Sequence, residues 1–88
     1  MTYSVVFESK ALKQLYAFET EMLKRLRQKT DELARNPRPS GVKKLVGEEQ
    51  SGYRIRVGDI RILYTIDDKE RIVRIFDIEP RDKAYKKR

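Results

Sequence analysis

The sequence predicts an α+β fold in which an N-terminal strand and a two-helix hairpin precede a three- to four-stranded antiparallel sheet. Three observations predict it. The apolar period changes from two to about 3.6 after the first few residues and returns to two in the second half. The block Tyr53-Arg54-Ile55-Arg56-Val57-Gly58-Asp59-Ile60-Arg61-Ile62-Leu63-Tyr64 alternates aliphatic and charged residues on both sides of Gly58-Asp59, the pattern of two half-buried strands joined by a tight turn. Turn-forming clusters separate the remaining runs.

Taken in order, Tyr3 to Phe7 is a β-rich run expected to form the first strand. Ser9 is placed to cap a first helix, with Leu12, Leu15 and Tyr16 about one turn apart. After a break near Phe18 to Thr20, a second helix carries Leu23, Leu26, Thr30 and Leu33 on one face. Its cations are expected to form a solvated face rather than a binding surface. Asn36-Pro37 and Pro39-Ser40-Gly41 end it near Arg35. Val42 to Val46 is a candidate edge strand, and Gly47 to Gly52 a polar loop. The two hairpin strands follow, then a turn at Asp67-Asp68-Lys69-Glu70, then a last strand from Arg71 to Ile78 that Pro80 is expected to stop. The helical layer lies on one face of the sheet, and the other face is left open.

A two-residue turn at Gly58-Asp59 sets Val57 opposite Ile60, Arg56 opposite Arg61, Ile55 opposite Ile62 and Tyr53 opposite Tyr64. Side chains alternate across the pleat, so Arg54, Arg56 and Arg61 share the open face while Tyr53 and Tyr64 pack in the core. Like charges directly opposite one another cost up to about 1 kcal/mol. Such a pair points to an anion, although open-face arginines also serve as a solubilising surface. On this account, replacing Arg61 is expected to leave stability unchanged or slightly raised.

Composition agrees. The 88 residues suit one small domain, and 40% of them are charged, with a net charge of +7. That balance suits a polyanion, or an acidic protein that covers the basic surface. Cysteine and histidine are both absent, which excludes disulfides, thiolate chemistry and the commonest metal ligand. Asp67, Asp68 and Glu70 lie in a turn beside Lys69 and Arg71 and lack the glycine-spaced pattern of a calcium loop. No metal or cofactor is therefore expected. No apolar run approaches a membrane span, and a cytoplasmic protein without a membrane partner is expected.

The element order, the block from Tyr53 to Tyr64, and a final strand followed by Arg81 and Tyr85 together resemble the RelE/ParE superfamily, the toxins of type II toxin-antitoxin modules. The resemblance covers the whole chain and implies one RelE-like domain over residues 1–88. It also implies a basic groove on the open sheet face and a cognate antitoxin that wraps it. For the RelE-like branch it implies a ribosome-dependent endoribonuclease, an mRNA interferase that cuts messenger RNA and inhibits translation. By position, Arg54, Arg56, Arg61, Arg81 and Tyr85 correspond to the basic and aromatic residues of that site. Many relatives carry a histidine where this chain has Pro80, and some archaeal RelE-like proteins share a similar Pro-Arg…Ala-Tyr-Lys ending. The alternatives are a ParE-like toxin that poisons DNA gyrase, and a non-catalytic domain that binds an antitoxin or nucleic acid.

RNA is cut without a metal when its own 2′-hydroxyl attacks the adjacent phosphorus, given in-line geometry and neutralised charge. Guanidinium forks suit the charge task and stay protonated, which makes arginine a poor base. Arg56 and Arg61 are accordingly expected to bind the phosphate and transition state. Arg81 is expected to stabilise phosphate or leaving group, and Tyr85 to move a proton or stack on a base. Arg54, Lys43 and Lys44 are expected to contribute phosphate-binding charge, the lysines from the rim.

Overall fold

The computed structural model describes residues 2–45 and 52–80. They form strand β1 (Ser4–Phe7), helices α1 (Ser9–Tyr16) and α2 (Thr20–Arg35), and strands β2 (Lys43–Lys44), β3 (Tyr53–Val57), β4 (Ile60–Asp67) and β5 (Ile72–Pro80). The sheet has five strands in the order β1-β5-β4-β3-β2. The expected antiparallel meander is present, and β1 adds to it in parallel along the free edge of β5, pairing Ser4 with Ile72 and Phe7 with Ile75. The sheet is therefore mixed. Alternation in a sequence reports which face a residue takes but not the direction of its neighbour.

Both helices lie on one face. Ala11, Leu15, Leu26 and Leu33 meet Ile55, Val57, Ile60, Ile62, Tyr64, Val73, Ile75 and Ile78 in a single buried cluster. Thr30 is buried among them and returns its hydroxyl proton to the Arg27 carbonyl at 3.0 Å. Leu12 and Tyr16, grouped with Leu15 on sequence, are exposed, because Ala11 and Leu15 carry the contact with the sheet. Among the described residues no helix is long and apolar enough to cross a membrane.

Other boundaries move for local reasons. Glu8, not Ser9, is the N-cap of α1, and no side chain caps it. The Glu8 N–H is committed to the Ile75 carbonyl at 2.9 Å while its own carbonyl takes the first helical bond from Leu12, so strand pairing sets the helix start. β5 runs two residues beyond the expected end at Ile78, and Pro80, its last described residue, pairs with Ile60. There β5 has run past β1 and presents an edge, where proline is tolerated. Arg71 belongs to the turn, with φ 59°, and β5 starts at Ile72. Only Lys43–Lys44 of the expected edge strand is strand, and Val46 with most of the polar loop lies outside the described residues.

The register of β4 against β5 shifts between Leu63 and Tyr64, whose partners are Asp77 and Ile75, so Phe76 is an extra residue in β5. Gln14 of α1 secures this bulge. It donates to Asp77 at 2.9 Å and accepts the Ile78 N–H at 2.8 Å.

A second polar cluster ties the segment after α2 to the sheet. The fully buried Tyr64 donates its hydroxyl to the Pro37 carbonyl at 2.7 Å and stacks on Tyr53 with ring centroids 5.8 Å apart. Burial raises the Tyr64 phenol above its ordinary pKa. Arg38 lies over the Tyr53 ring and grips Asp68 through two nitrogens, at 2.9 and 3.3 Å, while Tyr3 donates to the same carboxylate at 2.7 Å. The Arg38 and Tyr3 hydrogen bonds hold the Asp68 carboxyl below its ordinary pKa.

Two outcomes are expected. Tyr64→Phe keeps the ring but strands the Pro37 carbonyl, and should lower unfolding free energy in urea by about 1–3 kcal/mol. The Asp68 contribution has the sign of a depressed carboxylate: it is complete above the unfolded value near pH 4 and is lost as pH falls through the lower folded value. Thermal melts at descending pH should therefore fall more steeply for the native chain than for Asp68→Asn.

Candidate functional site

Gly58 has φ 61° and Asp59 is not left-handed, as in a type II′ turn, whose twist matches that of the strands it joins. The turn holds the register the alternation predicts: Arg56 faces Arg61, and Arg54 faces Lys43 on its other side. With Gly41, these four cations line an open concavity of about 290 Å³ on the face away from the helices. Lys44 takes the alternate position, opposite Tyr53, and does not line it. Arg81 and Tyr85 lie outside the described residues.

The charges are not equivalent. Arg56 is exposed and makes no hydrogen bond or ion pair with another described residue. Arg61 is mostly buried, and its Nη2 sits 3.2 Å from Oε2 of Glu79, a carboxylate only 7% exposed. The Arg61 Nε is buried and has no acceptor among the described residues. The ion pair draws the guanidinium toward β5 and restrains it, while Arg56 keeps the freedom of a solvated side chain.

Glu79 is the residue that sequence reasoning missed. Counting back from the Asp67–Ile72 pair without interruption would set Arg61 against Ile78. The extra residue at Phe76 advances the register by one and brings Glu79 opposite Arg61. A signal was available, since Ile78 is core-facing and Glu79 must then face the arginines, but the bulge conceals the pairing.

This overturns the expectation that Arg61 carries only a repulsive cost. Glu79 offsets the like charge of Arg56 across the strand, and removing Arg61 takes away the cation that faces a buried carboxylate.

A sequence model for the family described as ParE toxin of type II toxin-antitoxin system, parDE, matches residues 5–85. The chain belongs to this toxin family. The toxin is 32% identical to a candidate toxin RelE1 of Methanocaldococcus jannaschii, over 98% of each chain. Its fold superposes on RelE in the archaeal RelE-RelB complex from Pyrococcus horikoshii OT3 with a TM-score of 0.82 and 30% identity, covering 94% of this chain and 99% of that one. The RelBE2 toxin-antitoxin complex from Mycobacterium tuberculosis gives the same TM-score at 28% identity, over 92% of this chain and all of the other. The toxin is thus a RelE-like member of the RelE/ParE superfamily, and the mixed five-stranded sheet is the superfamily scaffold.

In this toxin, Arg61→Gln should be destabilised by about 1–3 kcal/mol, since the buried Glu79 carboxylate loses its charge-assisted hydrogen bond from Arg61. Urea unfolding of Arg61→Gln, Glu79→Gln and the double variant tests this. The double variant should be more stable than the sum of the single losses allows, and strict additivity would mean that the two side chains act independently.

Proposed function

We propose that this toxin is a ribosome-dependent, metal-independent endoribonuclease that cuts messenger RNA and is silenced by a cognate antitoxin. The observation that carries the reading is the concavity lined by Lys43, Arg54, Arg56 and Arg61, with no carboxylate among the described residues of its lining, on a RelE-like scaffold. Guanidinium groups on a fixed sheet present forked donors to a phosphodiester without the reorganisation that water would need.

The 2′-oxygen of the substrate attacks phosphorus as its proton leaves, and the bond to the 5′-oxygen breaks as that oxygen gains a proton. The products are a 2′,3′-cyclic phosphate and a free 5′-hydroxyl. Arg61, oriented by Glu79, and the more mobile Arg56 balance the negative charge that grows on the non-bridging oxygens. Arg54 and Lys43 hold the flanking phosphate, and Lys44 adds charge near the rim. Arg81 stabilises the leaving group, and Tyr85 moves a proton or stacks on a base, the two roles the superfamily resemblance assigns. The chain has no histidine or cysteine to hold a transition metal.

RelE stands in complex with RelB in the Pyrococcus horikoshii structure, and the Mycobacterium tuberculosis pair is likewise a toxin-antitoxin complex. An antitoxin of acidic or amphipathic character would meet the +7 charge of this chain, and the association would be fast and salt-sensitive. A second reading, a gyrase poison of the ParE kind, draws on the matched family description. The RelE-type relatives at 30% identity and above favour the first.

Primer-extension mapping after brief induction decides between them. Cuts confined to translated regions are expected, and intact transcripts with arrested replication would select the gyrase reading. Arg56→Gln should remain folded, because Arg56 is exposed, and should cut messenger RNA on programmed ribosomes about 10²- to 10³-fold more slowly. Cutting that survived EDTA treatment of the toxin is also expected, and a loss restored only by a transition metal would overturn the metal-free mechanism.

A further inference from the structure

Two cations of the largely exposed polar face of α2 border an opening of their own. A second concavity, of about 330 Å³, opens between α2 and the tip of the β3–β4 hairpin, and Arg25, Gln28, Lys29, Glu32 and Arg56 line it. Arg56 also lines the first concavity, so the two meet at that side chain. Arg25 reaches the hairpin tip: both terminal guanidinium nitrogens lie 3.5 Å from where a Cβ on Gly58 would stand, an ordinary contact distance. Glu32, the only carboxylate among the described residues of the lining, accepts a hydrogen bond from Lys29 at 3.0 Å. That pair is neutral as a unit, and it leaves Arg25 and Arg56 as net positive charge facing the opening, with two further ammonium protons on Lys29 free to donate.

We propose that this second concavity binds a further phosphate of the same RNA strand, so that the basic track runs from Lys43 through Arg56 and round the hairpin tip to Arg25. The inference rests on the nucleolytic reading and extends it. A single-stranded polyanion presents successive phosphates along one chain, and two cationic concavities that share one arginine offer adjoining places for two of them. Arg56 then bridges consecutive phosphates, and Gln28 offers an amide to a ribose hydroxyl or base edge. An acidic peptide is the competing occupant; Glu32 repels either polyanion, and continuity with the first concavity through Arg56 favours the RNA strand that the first concavity is proposed to hold.

The test is fluorescence anisotropy of the full chain with single-stranded RNA of about three and about nine nucleotides, across a salt series. Arg25→Ala should weaken the longer RNA roughly fivefold at 0.1 M salt, flatten its salt slope by about 0.7, and leave the shorter RNA unaffected. Lys29→Gln should act in the same direction. Arg25 is exposed, so its replacement does not put folding at risk. An unchanged slope and affinity for the longer RNA would overturn the second site alone. Loss of antitoxin binding with RNA binding intact would overturn it in favour of a protein contact. A native chain that bound neither RNA would overturn this inference, whereas the ribosome-dependent nucleolytic reading stands or falls on the primer-extension mapping.

Discussion

The pairing of β4 with β5 is the constraint on which the rest of the structure depends. These are the two longest strands, and β4 carries core residues on one face and Arg61 on the other. Because side chains alternate with period two, one extra residue in β5 decides what every position beyond it meets. With Phe76 inserted, Ile78 stays in the core against Ile62 and Glu79 arrives beside Arg61. Without it, an isoleucine would be forced toward the open face and the arginine would lose its counter-charge. Gln14, held in α1, bonds both Asp77 and the Ile78 N–H, and so couples the helical layer to this choice.

That arrangement explains how the sheet tolerates its charge. Cations opposite one another weaken a sheet, and Lys43 opposite Arg54 adds a second such pair beside Arg56 and Arg61. The molecule compensates unevenly. Arg61 is held by a buried carboxylate, whereas Arg56 stands at the junction of two concavities with water as its main partner. Rigidity is concentrated at the opposite end of the sheet, where Tyr3, Arg38, Tyr53, Tyr64 and Asp68 interlock and fasten the segment after α2. The basic face is thereby mounted on a firm base, with the Arg61–Glu79 ion pair as a cross-strand tie of its own.

Much of this was legible in the chain. The hairpin block alone set the Arg56–Arg61 register, because a glycine-containing two-residue turn leaves the flanking alternation one consistent pairing. The core face of α2 followed from its period, with Leu26, Thr30 and Leu33 buried as expected. What stayed hidden involved long-range choices with no local signature. The parallel seat of β1, the bulge at Phe76 and the partnership of Arg61 with Glu79 all depend on residues far apart in sequence. Leu12 and Tyr16 look like core residues to a periodicity argument, and their exposure depends on which stripe of α1 the sheet meets. The Arg25 side of the site was hidden for the same reason, since only the packing of α2 against the hairpin brings Arg25 and Arg56 to one opening.

The parallel seat of β1 also governs when the molecule can exist. Ser4 finds its strand partner at Ile72, so the edge of the sheet closes only after nearly the whole described chain has been made. The hairpin of β3 and β4 and the helices can form earlier from local contacts, but the loop joining β1 to β5 is the costliest to close and the last to be rewarded. Folding is therefore expected to finish after synthesis of β5 rather than during it. A nascent chain at that stage has its arginine hairpin but not Glu79 in place, and is chemically incomplete. In a molecule made by the machinery it is proposed to attack, this ordering delays the finished basic surface until translation has passed β5.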